Sequence, residues 1–142
     1  MAYGAGREVT RIAFAIPGKP YAKKRPRFSR KIGRAFNPRE NEVAEASIGA
    51  IAATHFPRPF TGPVALEIIA TFAIPESWTK AKKAALAHKP HTQKPDCDNI
   101  AKAVCDGLNR IAWTDDSQVS GLSVSKFWGV TNQTTIFVEG QE

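Results

Sequence analysis

Cysteine is scarce in this sequence of 142 residues, and no long apolar run occurs in it. Cys97 and Cys105 have no CxxC spacing, so we do not predict a structural zinc site, even with His88 and His91 nearby. We expect both histidines at the surface and both thiols reduced, as in the cytoplasm. No segment approaches the roughly 20 apolar residues of a membrane-spanning helix, so we expect a cytoplasmic protein without a membrane partner.

Carboxylates are absent from residues 19–39, where the basic residues are concentrated. Twenty Lys and Arg against thirteen Asp and Glu give a net charge of +7, which indicates a polyanionic partner. A disordered basic arm is one interpretation. Tyr21, Phe28 and Phe36 interrupt the charges and favour an ordered loop or hairpin that follows a phosphate backbone. The residues that we expect to contact DNA are Lys19, Lys23, Lys24, Arg25, Arg27, Arg30 and Lys94.

Hydrophobic spacing predicts strands interleaved with helices, without repeats or a low-complexity linker. The expected fold class is α/β (α+β), a single layer of mixed β-sheet with helices packed against it, forming one domain over residues 1–142. Ser77 is the expected N-cap of the second helix, and Asp98 or Asn99 that of the third. The predicted strands are residues 9–16, 63–74 (largely buried), 119–128 and 134–138, and the predicted helices are residues 38–57, 78–88 and 99–111.

The third predicted helix has one apolar and one polar side. At about 100° per residue, Ile100, Val104 and Leu108 share one side. Lys102 lies one turn from two aspartates on the other side and is expected to pair with them. Solvated ion pairs and a capping aspartate would explain this pattern without any function. The residues of the polar side are Asp98, Lys102, Asp106 and Asn109.

Two acidic pairs flank this helix. Asp-x-Asp in an extended segment would project the carboxylates of Asp96 and Asp98 to the same side, where they repel unless a cation lies between them. Mg²⁺ commonly uses one or two carboxylates together with substrate phosphate and water. A second pair, Asp115 and Asp116, precedes a predicted strand, although an acidic pair of this kind is usually a turn. Carboxylates that hold a metal and a nearby Lys102 are groups that phosphodiester cleavage can use.

The acidic stretch resembles the RusA endodeoxyribonucleases, which are Holliday junction resolvases of bacteria and phages. The family pattern Asp-x-Asp-Asn-x-x-Lys, then Asp, then Asp-Asp-x-Gln-Val is present as DCDNIAK, Asp106 and DDSQV. The phrase IPGKPYAKKRPRFS is similar to the N-terminal region of many phage members. No family motif is evident near residues 39–56 or in residues 75–93.

This resemblance implies a structure-selective nuclease that makes paired symmetric nicks in branched DNA. It implies Mg²⁺, with Mn²⁺ as an alternative, and a homodimer, because two symmetric incisions match a two-fold protein. By position, Asp96, Asp98 and Asp116 would be essential metal-binding carboxylates, and Asp115 would assist them. Lys102 would be an essential basic residue, and Asn99 and Asp106 would have supporting roles.

Two other functions fit the same residues. A Mg²⁺-dependent nuclease could act on other branched DNA or on RNA, because carboxylates and a metal do not encode branch recognition. A non-catalytic nucleic-acid-binding protein would combine the basic segment with stacking tryptophans. We expect Trp78, Trp113 and Trp128 to be core residues instead.

Overall fold

A four-stranded mixed sheet forms the centre of the computed structural model, which describes residues 8–141. The strands lie in the order β1-β6-β4-β5, where β1 is Val9–Pro17, β4 is Val64–Ala73, β5 is Val119–Gly129 and β6 is Gln133–Gln141. β4 and β5 are parallel, and the other neighbours are antiparallel. This arrangement confirms the predicted mixed sheet and its α+β class.

Helices cover one face of this sheet. The buried side chains of β4 alternate along the strand, and Val64, Ile68 and Phe72 face the helices. The expectation that this strand is largely buried holds for its helix-facing side chains, and its other side chains lie partly or fully exposed on the uncovered face. There Ala65 and Glu67 are exposed.

Two helices, α1 (Arg39–Ala53) and α3 (Cys97–Leu108), pack against each other on the covered face. Their contact is close, because a Cβ atom built on Gly107 would lie 2.8 Å from the Ile48 side chain. The apolar side predicted for the third helix is confirmed, since Ile100, Val104 and Leu108 are buried. Asp96 is the N-cap of α3, whereas Asp98 or Asn99 was expected, so that prediction was wrong by two or three residues.

A short helix, α2 (Lys80–Leu86), lies between β4 and α3. Its N-cap is Thr79, which accepts a hydrogen bond from the Lys82 amide at 3.2 Å. The prediction of Ser77 as the cap was wrong. The amide of Trp78 donates to the Pro75 carbonyl, so Trp78 still belongs to the turn that precedes the helix. In the part of the chain that is described, no helix is both long and apolar enough to cross a membrane.

The basic segment is ordered, as its aromatic residues predicted. Strands β2 (Arg27–Ser29) and β3 (Arg34–Phe36) pair antiparallel and form a separate two-stranded hairpin. Gly33 lies at its turn with a φ of +68°, a backbone region that glycine adopts without steric cost. A folded hairpin therefore presents the charges of this segment.

The three tryptophans belong to the core, as expected. Trp113 and Trp128 are buried, and Trp78 packs against the core cluster. His88 is exposed, but His91 is buried between the rings of Phe72 and Trp128, with ring centroids 4.0 and 4.4 Å away. The prediction of two surface histidines was therefore wrong for His91. Desolvation lowers the pKa of His91, and the nearby charge of Lys126 adds to this effect.

Candidate active site

The N-terminus of α3 presents two exposed carboxylates. Asp96 has extended backbone angles, and its carbonyl accepts the Ile100 amide at 3.2 Å, so the helix begins at Cys97. Asp98 consequently lies in the first helical turn, and the predicted extended Asp-x-Asp geometry was wrong. No hydrogen bond or ion pair with another described residue engages either carboxylate. Both remain open to a ligand, and the helix dipole favours negative charge at this end.

Lys126 on β5 holds the segment that leads into Asp96. Its Nζ atom donates to the carbonyl oxygens of Gln93 and Pro95, at 2.7 Å each. The Lys94–Pro95 peptide bond between those two carbonyls is cis. Two bonds from one ammonium fix the backbone immediately before Asp96, so the placement of that carboxylate depends on a residue thirty positions further along the chain.

The second acidic pair lies in a short 3₁₀ turn, Asp116–Gln118. Asp115 is its N-cap: Oδ2 accepts the Ser117 amide at 2.9 Å, and the Gln118 side chain accepts the Asp115 amide at 2.8 Å. Hydrogen bonds from Ser117 lower the pKa of Asp115. Much of the bonding capacity of this carboxylate therefore serves the turn itself.

Asp116 is oriented by the core. The indole Nε1 of Trp113, which is fully buried, donates to Asp116 Oδ1 at 2.8 Å. Gln118 Nε2 donates to the carbonyls of Phe60 and Gly62, at 2.8 and 2.9 Å, and so fixes the turn to the start of β4. One oxygen of Asp116 is held in place, and Oδ2 has no hydrogen bond to the described residues.

Asp116 approaches the polar side of α3. Burial raises the pKa of the Cys105 thiol to about 11, and the negative charges of Asp116 and Asp106 add to this effect. Cys105 is seven residues beyond Asp98, and this spacing puts both on one side of the helix, with Lys102 between them. Asp116 therefore lies near Cys105, while the described residues do not group it with Asp96 and Asp98 as a three-carboxylate metal site.

Lys102 is exposed and makes no ion pair with the described residues. The expected ion pairs of Lys102 with Asp98 and Asp106 are therefore absent from residues 8–141. The pair with Asp98 does not form because the side chains of Lys102 and Asp98 both extend into solvent. The pair with Asp106 does not form because Asp106 binds Lys23, together with Glu45 on α1. The ammonium of Lys102 is left free for an anion.

Lys23 ties the basic segment to α3. Its ammonium hydrogen-bonds to Asp106 and lies 3.1 Å from Glu45, while its amide donates to the Asn99 carbonyl at 2.9 Å. The hydrogen bond that Lys23 donates to Asp106 raises the pKa of Lys23, although partial burial opposes this effect. Two carboxylates therefore offset its charge. Asn99 and Asp106 both hold the chain at Lys23, and their supporting roles in catalysis stay predictions.

A buried asparagine holds the next residues. Asn41 on α1 accepts the Lys24 amide and donates to the Lys24 carbonyl, both at 2.8 Å, and Tyr21 Oη donates to its Oδ1 at 2.7 Å. Burial raises the pKa of Tyr21. Since the side chain of Asn41 satisfies both backbone groups of Lys24, the entry to the hairpin is rigid.

The other basic residues differ in how free their charge is. Lys24 Nζ and Arg27 Nη2 each lie 3.4 Å from Glu40 Oε2, so these two share one carboxylate. Among the described residues, no ion pair engages the exposed residues Lys19, Arg25, Arg30 and Lys94.

The donors around α3 suit a hard cation in type. Carboxylate oxygens are the ligands that Mg²⁺ prefers, and Asp96 and Asp98 offer them without competing bonds. Residues 8–141 contain no group of three or more Asp, Glu, His or Cys side chains arranged to hold a metal ion. Mg²⁺ commonly binds through one or two carboxylates and substrate phosphates, and an open pair fits that pattern.

Sequence reasoning missed Lys126, Asn41 and the polar role of Trp113. Lys126 binds the Pro95 carbonyl 31 residues away, and Asn41 binds Lys24 17 residues away. Trp113 binds Asp116, which is only 3 residues away. The first two contacts exist only in the folded chain, and no spacing rule connects them. The third was within reach, because a buried indole N–H needs an acceptor and the carboxylates of Asp115 and Asp116 follow within three residues.

A basic α+β chain with open carboxylates at a helix N-terminus carries donors that suit a hard cation and a charge that suits a polyanion. Comparison with known proteins agrees. The profile of the family described as endodeoxyribonuclease RusA matches residues 17–139, and the chain belongs to that family. It is therefore an endodeoxyribonuclease of the class that acts on Holliday junctions, whose members generally depend on a divalent metal.

A curated relative is similar over nearly its whole length. The uncharacterized protein YqaN of Bacillus subtilis (strain 168) is 33% identical over 134 residues, which cover 89% of this chain and 94% of that protein. Its name adds no function, but the coverage shows that the resemblance extends beyond the acidic motif.

Proposed function

We propose that this protein resolves Holliday junctions by Mg²⁺-dependent hydrolysis, with paired symmetric nicks, and that residues 1–142 form one RusA-like domain. The observation that carries the proposal is the open carboxylate pair at the start of α3, next to a rigidly anchored basic segment. The family supplies the class of reaction. We expect this protein to act in the cytoplasm, where DNA junctions arise.

In this proposal, Asp96 and Asp98 would hold Mg²⁺, or Mn²⁺ in its place. Asp116, which forms no three-carboxylate group with them within residues 8–141, would assist them from beside Cys105. When bound, the ion polarises the scissile phosphate and lowers the pKa of the attacking water. Lys102 neutralises charge on the phosphate from the same side of α3. Asp115 stays a predicted helper, and its bond to Ser117 is a reason to test it separately.

The basic residues bind the DNA backbone. Lys19, Arg25, Arg30 and Lys94 have no carboxylate partner among the described residues and are therefore the strongest candidates for phosphate contacts. Lys24 and Arg27 can exchange Glu40 for a phosphate. Lys23, which two carboxylates hold, contributes mainly by fixing the segment.

A homodimer completes the proposal. A four-way junction has two-fold symmetry, and two equivalent subunits place two equivalent sites on strands of like polarity. Sedimentation of the full chain with and without a junction tests this part on its own, and a monomer on the junction would contradict it.

The direct test uses a synthetic four-way junction with a different label on each strand. With Mg²⁺, the protein should cut two opposing strands at symmetric positions, and chelation of the ion should stop both cuts while binding persists. A linear duplex of the same arm sequence and a branched RNA serve as matched substrates.

The outcomes separate the competing functions. Equal cutting of RNA, or of branched DNA without symmetry, would favour a nuclease of different substrate choice. Binding that ignores branching and Mg²⁺, without any cutting, would indicate a non-catalytic DNA-binding protein.

A further inference from the structure

The basic hairpin, defined here as residues 25–36, exposes apolar side chains that the proposed chemistry does not use. Phe28 is 66% exposed and Ile32 is 54% exposed. The phenylalanines Phe14, Phe56, Phe60 and Phe72 are all buried in the core. A chain that buries these phenylalanines leaves Phe28 in water, and such exposure on an ordered element marks a contact surface.

The direction of Phe28 follows from the strand register. Arg27 pairs with Phe36 and Phe28 pairs with Ala35, and residues directly opposite each other share a face of the hairpin. Arg27 lies 3.4 Å from Glu40 in the first turn of α1, so its face is turned towards the protein. Phe28 lies on the other face and points away from α1.

The frame that carries Phe28 is fixed to the candidate active site. Asn41 binds both backbone groups of Lys24, and Lys23 binds Asp106 and the Asn99 carbonyl of α3. The entry to the hairpin is therefore tied to the helix whose N-terminus carries Asp96 and Asp98. The hairpin thus begins two residues after a backbone contact with the first turn of α3.

The positive charge of the basic hairpin indicates which partner its exposed apolar side chains would contact. The basic hairpin contains Arg25, Arg27, Arg30, Lys31 and Arg34 and no carboxylate. A second copy of the hairpin would bring like charges together, which opposes a hairpin-to-hairpin protein contact. DNA supplies both matching features, because phosphates attract the cations and every base has a π-face on which an aromatic ring can stack.

We propose that Phe28 stacks on a base that is unstacked at the branch point of the DNA junction, while the surrounding arginines bind the adjacent phosphates. This inference rests on the proposed junction-binding function. In linear duplex the bases are stacked on one another, so Phe28 has no free π-face to contact there. The hairpin would thus contribute selectivity for branched DNA, beyond the general affinity that its charges give.

The test measures binding of the full-length chain to a four-way junction and to a linear duplex of the same arm sequence. Every protein carries Asp96→Asn, so that no substrate is cut. Phe28→Ala should weaken junction binding by about tenfold and duplex binding by less than about twofold. Phe28→Trp should restore junction binding. Val130→Ala, at an apolar residue that is 88% exposed between β5 and β6, is the matched control and should change neither affinity.

A fluorescent 2-aminopurine base at the branch point gives a second measurement. Its emission should be quenched by stacking when either the chain with Phe28 intact or the Phe28→Trp variant binds, and should stay bright with Phe28→Ala at saturating concentration. Equal loss of junction and duplex affinity in Phe28→Ala would overturn the proposal, as would unchanged affinity and unchanged quenching. A change in subunit association with junction affinity retained would assign the surface to a protein contact instead.

These results are distinct from failure of the proposed function. If the parent chain neither prefers nor cuts a junction, the resolvase assignment fails, and the stacking proposal fails with it. If the chain with Asp96 intact prefers and cuts the junction, while Phe28→Ala in the Asp96→Asn background binds both DNAs as Asp96→Asn alone does, the stacking proposal alone is wrong.

Discussion

The two acidic pairs look alike in the sequence, but the structure holds them in different ways. Asp96 and Asp98 at the start of α3 have carboxylates without hydrogen bonds to the described residues, and tertiary contacts such as Lys126 place their backbone. Asp115 and Asp116 lie in a turn whose local hydrogen bonds occupy one oxygen of each carboxylate. The first pair is open to a ligand, and the second is partly committed to structure.

This difference separates two kinds of contribution to a metal site. An open carboxylate pair repels itself and is stabilised by a cation, whereas a carboxylate that caps a turn already has its charge satisfied. Asp116 is intermediate, because Trp113 orients one oxygen and leaves the other free. Variants that affect one pair and spare the other test whether the two pairs contribute differently.

The largest difference should come from neutralising one carboxylate of each pair. We expect Asp98→Asn to reduce Mg²⁺-dependent junction cleavage by at least about 100-fold, since it removes a direct ligand and even indirect support is worth about 10–100-fold. Asp115→Asn should retain most of the activity and a melting temperature close to that of the parent chain, because the asparagine oxygen can still accept the Ser117 amide. Cleavage rates and thermal melts of both variants provide the comparison.

Glu76→Gln is the control for that pair of variants, because Glu76 is an exposed carboxylate between β4 and α2. It should match the parent chain in rate and melting temperature. If Asp115→Asn loses as much activity as Asp98→Asn while both stay folded, the distinction between the open and the committed pair is wrong.

The next effect should come from the donor that orients Asp116. Trp113→Phe removes the indole N–H and should reduce cleavage by about 10–100-fold, while raising the Mg²⁺ concentration needed for half-maximal rate. It should also lower the unfolding free energy by about 1–3 kcal/mol, because a fully buried group is lost. The measurement is a Mg²⁺ titration of the rate at a temperature where the variant is folded.

Trp128→Phe gives the matched core change, since Trp128 is buried in the same cluster and makes no hydrogen bond to Asp116. It should lower stability and leave the Mg²⁺ dependence as it is. A shift in Mg²⁺ dependence of equal size in both variants would mean that loss of packing, and not orientation of Asp116, is responsible.

A smaller effect is expected from the contact that places Asp96. Lys126→Met keeps most of the unbranched side chain, lacks the terminal ammonium and removes both bonds to the Gln93 and Pro95 carbonyls. Cleavage should fall by about tenfold through looser placement of Asp96, with faster amide hydrogen exchange in the segment before α3. Lys89→Met, at a nearby exposed lysine, should change neither quantity, and full activity of Lys126→Met would contradict a positioning role.

The smallest effect is on the pH dependence of stability. His91 is buried, and desolvation lowers its pKa in the folded state. As the pH falls below about 6.5, His91 therefore takes up a proton in the unfolded chain before it does so in the folded chain. Stability should therefore fall between that pH and the lower pKa of the folded state. His91→Phe should remove this part of the dependence, as measured by melts from pH 8 to pH 5.

His88→Asn is the control for the pH measurement, because His88 is exposed and its positive φ suits asparagine. It should keep the pH dependence of the parent chain. The cap at Asp115 behaves differently: its lowered pKa stabilises the fold above the ordinary carboxyl pKa, and that contribution disappears only at more acidic pH. An unchanged slope in His91→Phe would mean that His91 does not control this range.

Local patterns made much of the fold predictable. The alternation of Val64, Ile68 and Phe72 and the helical spacing of Ile100, Val104 and Leu108 each depend on neighbours within one element. Aromatic residues among the charges correctly predicted an ordered hairpin. The predicted N-caps, Ser77 for α2 and Asp98 or Asn99 for α3, were wrong. Several residues that can cap a helix lie close together at each position, and tertiary contacts decide which one does so.

The candidate site was predictable in its residue types and less so in its geometry. The acidic motif identified the carboxylates of α3, but their open state depends on where Lys23 and Lys126 find partners. Lys23 takes Asp106, which the sequence had assigned to Lys102. Such competition between partners is decided by the folded chain, and helical spacing alone does not reveal it.

The most direct test of the account is divalent-ion binding in the presence of an uncut junction. Mn²⁺ can replace Mg²⁺ and be followed by electron paramagnetic resonance, with a junction whose scissile phosphates are chemically blocked. We expect the parent chain, Asp115→Asn and Glu76→Gln to bind Mn²⁺ with similar affinity, and Asp96→Asn and Asp98→Asn to lose at least about tenfold in that affinity. Undiminished Mn²⁺ binding by a folded, junction-bound Asp98→Asn variant would contradict the assignment of the open pair as the metal site.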